Sequence, residues 1–167
     1  MPADYSFDVV SEFDRQELVN AIDQTTREIT TRYDLKNTGS SVELEKDSMK
    51  LASASEMTLG AMRDVLLERA VRRKLSPKIF DFGRIEEASK GTVRQTVTLR
   101  KGISQDLARE ITKLVRDKLS KLKAQVQGDA VRITGKSKDD LQAAIQTLRA
   151  AEKERNWPVP LQFTNYR

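Results

Sequence analysis

Apolar residues along this chain recur in two rhythms, at alternate positions and at helical spacing, and the switches between them mark out its elements. Phe7 to Phe13 alternates and predicts a strand. Leu18, Ile22, Thr25 and Ile29 then recur at helical spacing to about Arg32, behind Asp14 as N-cap and Glu17 where a capping box would close. Asn37-Thr38-Gly39-Ser40 breaks that pattern. Val42 and Leu44, then Met49 and Leu51, alternate with polar residues on either side of Asp47-Ser48 and predict a hairpin. Ser55 can cap the next helix, which turns Leu59, Met62, Leu66 and Ala70 inward and ends in the basic run Arg72-Arg73-Lys74, as its dipole favours. Beyond Ser76-Pro77, Ile79, Phe80 and Phe82 supply a short fourth strand.

The polar stretch from Arg84 to Gly91 reads as a boundary, after which the order repeats. Thr92 to Arg100 alternates, with Val93, Val97 and Leu99 inward. Ser104 caps a helix carrying Leu107, Ile111, Leu114 and Val115. Leu122, Ala124 and Val126, then Val131 and Ile133, face one way on either side of Gly128-Asp129, and Ser137 caps a helix with the stripe Leu141, Ile145 and Leu148. After Asn156-Trp157-Pro158, Leu161 to Tyr166 predicts a last strand with Leu161 and Phe163 inward and Gln162, Thr164 and Tyr166 outward. Each half therefore reads β-α-β-β-α-β, and two helices so placed are both buried only on one face of a four-stranded antiparallel sheet. The expected fold is α+β, a tandem of two ferredoxin-like domains over residues 1–88 and 89–167.

Composition narrows the function. Of the 167 residues 38% are hydrophobic and 33% charged, a globular balance without the roughly 20-residue apolar run of a membrane span. No N-terminal signal segment is apparent, so the cytoplasm is the expected compartment and no membrane partner is expected. The absence of cysteine and histidine removes disulfides, thiol nucleophiles and the commonest general base. No catalytic constellation, metal site or cofactor motif emerges. Gly135-Lys136-Ser137 ends like a phosphate loop, but Ala130 stands where that motif needs glycine, and a helix cap is the simpler reading.

Charge points to an anionic partner. Residues 1–88 hold 13 Lys+Arg against 17 Asp+Glu, net −4, and residues 89–167 hold 17 against 8, net +9. The open face of the second sheet would gather Arg94, Arg100, Lys121, Lys123, Gln125, Arg132, Gln162 and Tyr166, with Lys136 beside the last helix. Guanidinium and ammonium groups suit phosphates, while glutamines and a tyrosine suit a base. Polar outward residues also serve solubility alone, and the central strands carry no aromatic platform for reading single-stranded RNA.

SFDVVSE at Ser6, NAIDQ at Asn20, RYDLK at Arg32, KLKAQ at Lys121, QGDAVRITGKSKDDLQ at Gln127 and the ending PLQFTNYR resemble the YajQ family over nearly the whole chain. Leu35, where the family usually has Phe, Ala124, where it usually has Val, and extra residues around Glu152 to Trp157 are conservative or peripheral departures. The resemblance implies two RNP-like domains and a nucleotide-binding protein rather than an enzyme. It also implies purine nucleotides, cyclic di-GMP or tRNA as ligands, and for some members a transcription factor as partner. An RNA-associated protein using the basic second domain, and an adaptor between proteins, are the other readings.

Overall fold

The structure, a computed structural model, describes residues 4–167. Strand β1 (Tyr5–Val10) leads to helix α1 (Arg15–Thr31), whose cap Asp14 accepts the backbone N–H groups of Gln16 and Glu17. Glu17 does not close the expected box; its carboxylate takes Asn20 and Arg73 instead. Strands β2 (Ser41–Leu44) and β3 (Ser48–Ser53) form the expected hairpin, and Ser55 caps α2 (Glu56–Arg72) in a reciprocal box with Thr58. Then follow β4 (Phe80–Glu87), β5 (Val93–Leu99), α3 (Gln105–Lys118), β6 (Lys123–Gln127), β7 (Ala130–Gly135), α4 (Lys138–Glu154) and β8 (Gln162–Thr164). No helix among the described residues is long and apolar enough to cross a membrane.

The strands build two four-stranded antiparallel sheets, in the orders β6-β7-β1-β8 and β2-β3-β5-β4. Both orders are ferredoxin-like, but the leading strands have changed places. β1 lies inside the sheet of the second half, and β5, expected to open the second domain, lies inside the sheet of the first. The chain accordingly divides into unit 1, which is the chain up to Glu12 together with Lys101–Arg167, and unit 2, Phe13–Arg100. The boundary expected at Ala88 falls within a hairpin. The cause is local: β4 continues to Glu87, and Ser89–Gly91 turns the chain at once, with Lys90 at φ 58° and Gly91 at φ 77°. So short a connection lays β5 directly beside β4.

This division removes the charge asymmetry read from the halves. Unit 1 holds 14 Lys+Arg against 11 Asp+Glu, net +3, and unit 2 holds 16 against 14, net +2.

In unit 1, Phe7 and Val9 of β1, with Val131 and Ile133 of β7, pack beneath Ile111 of α3 and Leu148 of α4. Gly135 ends β7 where any Cβ would strike the Leu122 side chain. Unit 2 buries Met49, Leu51 and Val97 beneath Leu18, Leu59 and Leu66 of its two helices. Gln95 joins that core on an inward position of β5, a buried polar residue that alternation alone does not announce. Its Nε2 donates to the Gly83 carbonyl at 2.6 Å, beside the register shift between Phe82 and Ile85, and its carbonyl accepts from Arg63 at 3.5 Å.

Candidate functional site

Register decides which expected site residues meet. On the face of unit 1 away from its helices, Gln125 pairs with Arg132, Arg132 with Asp8, and Asp8 with Thr164, while Gln162 stands opposite Val10. Lys123 lies on the same face opposite Thr134. Lys121, in the turn before β6, and Lys136, at the bend before α4, are exposed. Arg94 and Arg100 do not belong to this face, because β5 is part of the other sheet. There Arg94 meets Glu86 at 3.4 Å, and Arg100 meets Asp81 at 3.5 Å and the Lys78 carbonyl at 3.2 Å.

Two members of the remaining group are already engaged. Arg132 Nε donates to Asp8 Oδ1 at 2.9 Å, and Asn165 Nδ2 donates to Asp8 Oδ2 at the same distance. The Arg132 hydrogen bond holds the Asp8 carboxyl below the usual carboxylate range, against partial burial, with Asn165 adding to it. Gln162 Oε1 accepts the Glu12 backbone N–H at 2.7 Å. Lys123 and Gln125 stay exposed. The face is thus largely a self-satisfied polar surface.

Tyr166 turns the other way. Strict alternation past Phe163 would put it outward, but Asn165 adopts φ 57°, a left-handed conformation that asparagine tolerates better than most side chains. Alternation fails at that residue, and the Tyr166 ring comes to the helix side, 6.0 Å from the Phe7 ring. Ser6 and Arg167 exchange backbone hydrogen bonds of 3.2 and 3.0 Å, which tie this segment to β1.

Tyr166 there walls a cavity of about 370 Å³. Tyr5 lines it as well, on β1 in phase with Phe7 and Val9. Another wall is a stripe of α4, Lys138, Leu141 and Ile145, set on one side by helical spacing, and Ser6, Gln142 and Arg167 complete the lining. Lys138 Nζ stands 5.3 Å from the centroid of Tyr5, and Ser137 caps the helix by accepting the N–H groups of Asp139 and Asp140. Further along α4 the Arg149 guanidinium lies 4.8 Å from the centroid of Phe163, whose ring meets Phe7 edge-on at 5.7 Å. Two aromatic walls, an apolar floor and an ammonium group make a concave site of the size and chemistry that takes a flat, anionic ligand.

Of the residues proposed from sequence, only Tyr166 lines this cavity. Tyr5 and Lys138 are not among those residues, although Tyr5 continues the inward rhythm of Phe7 and Val9, and Lys138 precedes Leu141 and Ile145 at helical spacing.

Two ferredoxin-like units in one chain, one of them interrupted by the other, define the class of protein. The chain belongs to the YajQ family: the family model described as "Nucleotide-binding protein YajQ-like" matches residues 5–167. Relatives named nucleotide-binding proteins include one from Prochlorococcus marinus, 57% identical, one from Chloroflexus aggregans, 56% identical, and one from Trichormus variabilis, 54% identical. Each match covers 100% of this chain and 100% of the relative.

Proposed function

We propose that this chain binds a nucleotide, without transforming it, in the cavity between α4 and the Tyr5 and Tyr166 rings. The observation that carries the reading is the meeting of two tyrosine faces with Lys138 in one apolar concavity. A purine stacks on the tyrosines and its phosphate meets the ammonium group. The names of the relatives support a nucleotide as the ligand. With no histidine or cysteine in the chain, the binding residues offer little for bond-making chemistry.

Among nucleotides we favour cyclic di-GMP, on a second cation–aromatic pair further along α4 and outside the cavity lining. The cation–aromatic pairs Lys138–Tyr5 and Arg149–Phe163 are set 11 residues apart along α4, about 16 Å of helix. A ligand with two purines can use both. The loaded protein then signals through a protein partner, such as a transcription factor. RNA or tRNA backbone binding is the competing reading and rests on the exposed Lys121, Lys123 and Lys136.

Calorimetric titration with cyclic di-GMP, GTP, ATP and a short RNA, at low and high salt, separates these readings. Expected is saturable one-site binding of a purine nucleotide that Tyr166→Ala and Lys138→Ala each weaken about tenfold. Lys123→Ala should leave it unchanged. Binding of RNA alone, falling steeply with salt and with Lys123→Ala, would move the site to the open face.

A further inference from the structure

The outer edge of unit 1 is open on one side. β6 ends the strand order β6-β7-β1-β8, and among the described residues no other segment hydrogen-bonds to its outer edge. Gly128 and Asp129 form a two-residue turn, so Gln127 and Ala130 are a hydrogen-bonded pair and the pairs alternate from there. The backbone N–H and C=O groups of Ala124 and Val126 therefore face away from β7. Val126 is 48% exposed on the helix side of the strand.

The edge strand β4 of the other sheet is guarded against pairing by a register shift between Phe82 and Ile85 and by Asp81, Arg84, Glu86 and Glu87. β6 has neither a bulge nor a proline. Beside it, α3 and the edge enclose a groove of about 550 Å³. Val115 and Leu122 form its floor, Thr112 and Ser120 its rim, and Arg116 and Lys123 flank it. Arg116 is only loosely occupied, with Asp117 at 3.9 Å and 71% of its side chain exposed.

We propose that this groove docks an extended acidic segment of a partner protein by strand addition to β6. The partner's main chain pairs with Ala124 and Val126, alternate apolar side chains enter between α3 and β6, and the carboxylates that alternate with them lie on the open face beside Lys123. Complementary charge selects this occupant over a second copy of the chain, which would bring the same cations to the edge. The surface involves α3 and β6 and is separate from the α4 cavity, so it stands whether or not that cavity takes a nucleotide.

The test is an NMR titration of the full-length, isotope-labelled chain with a blocked hexapeptide alternating glutamate and valine, and with its lysine-valine counterpart. The acidic peptide should shift the amides of Lys123–Gln127 and of the α3 residues lining the groove. Val126→Pro, which deletes an outward N–H, should abolish that response. Lys123→Glu, at an exposed position, should weaken it at least about fivefold. Equal binding of the lysine peptide, shifts mapping elsewhere, no response, or an unaltered response in Lys123→Glu would overturn the proposal. So would sedimentation showing self-association through β6 that the acidic peptide does not displace.

Discussion

Asp8 and Arg132 face each other across β1 and β7 at 2.9 Å, joining residues 124 positions apart. The pair fixes the partner of β1 and removes Arg132 from the cations available to a ligand. Asp8→Ala leaves the guanidinium half-buried without its carboxylate and should cost about 1 to 2 kcal/mol, read as a lower urea midpoint.

Acid should weaken unit 1 in particular. The Asp8 carboxyl is held low chiefly by Arg132, and the Glu110 carboxyl chiefly by the Trp157 indole N–H and then by Arg155. A folded-state pKa below the unfolded value stabilises above the unfolded pKa, and that contribution disappears as pH falls through the folded one. Trp157, the one tryptophan of the chain, is buried in unit 1 and donates to Glu110 at 2.9 Å. Its fluorescence should report a falling urea midpoint between about pH 5 and pH 2. Asp8→Asn should flatten the profile.

Asn165 controls the direction of Tyr166 through its left-handed backbone. Asn165→Val should destabilise that conformation by about 1 to 2 kcal/mol and weaken nucleotide binding with it. Asn165→Gly keeps the backbone accessible and should retain more affinity. Titrating both variants with one nucleotide distinguishes a backbone effect from loss of the Asp8 hydrogen bond, which the two share.

Gln95 satisfies the Gly83 carbonyl within the core of unit 2. Gln95→Leu removes the donor and should cost about 1 to 3 kcal/mol. The same amide anchors the irregular part of β4, so hydrogen exchange should quicken around Gly83 before it does in β3.

Gly135→Ala should destabilise unit 1 by about 1 to 3 kcal/mol, because the added methyl must displace the Leu122 side chain. In a Leu122→Ala background, itself less stable, Gly135→Ala should cost less, because the smaller side chain gives the methyl room. A Trp157 fluorescence midpoint unmoved by Gly135→Ala would mean that β7 and the β6 turn adjust without strain.

The elements were legible where periodicity and capping agree. Ser55, Ser104 and Ser137 each cap the helix their positions announce. The exchange of β1 and β5 was not legible, because Phe7 and Val9 make the same alternating apolar pattern as Val93 and Val97, and either strand satisfies either sheet by that criterion. What separates them are long-range particulars: Arg132 awaiting Asp8, and a three-residue turn that leaves β5 nowhere to go but beside β4. The expected polar face was not assembled as alternation implied, for a related reason. Tyr166 was placed by extending an alternation that one residue, Asn165, interrupts. Arg94 and Arg100 followed β5 into the other sheet.

The place of β1 also sets a timetable for synthesis. All the strands of the sheet β2-β3-β5-β4 lie within Phe13–Arg100, so that unit can fold as soon as it leaves the ribosome. β1, flanked by β7 and β8, meets its last neighbour only after Gln162 to Thr164 have been made. At about 5 to 20 residues per second, β1 waits roughly 8 to 30 s for its sheet to be complete. Until β7 has been made, Phe7 and Val9, fully buried in the finished protein, have nothing of their own sheet to cover them.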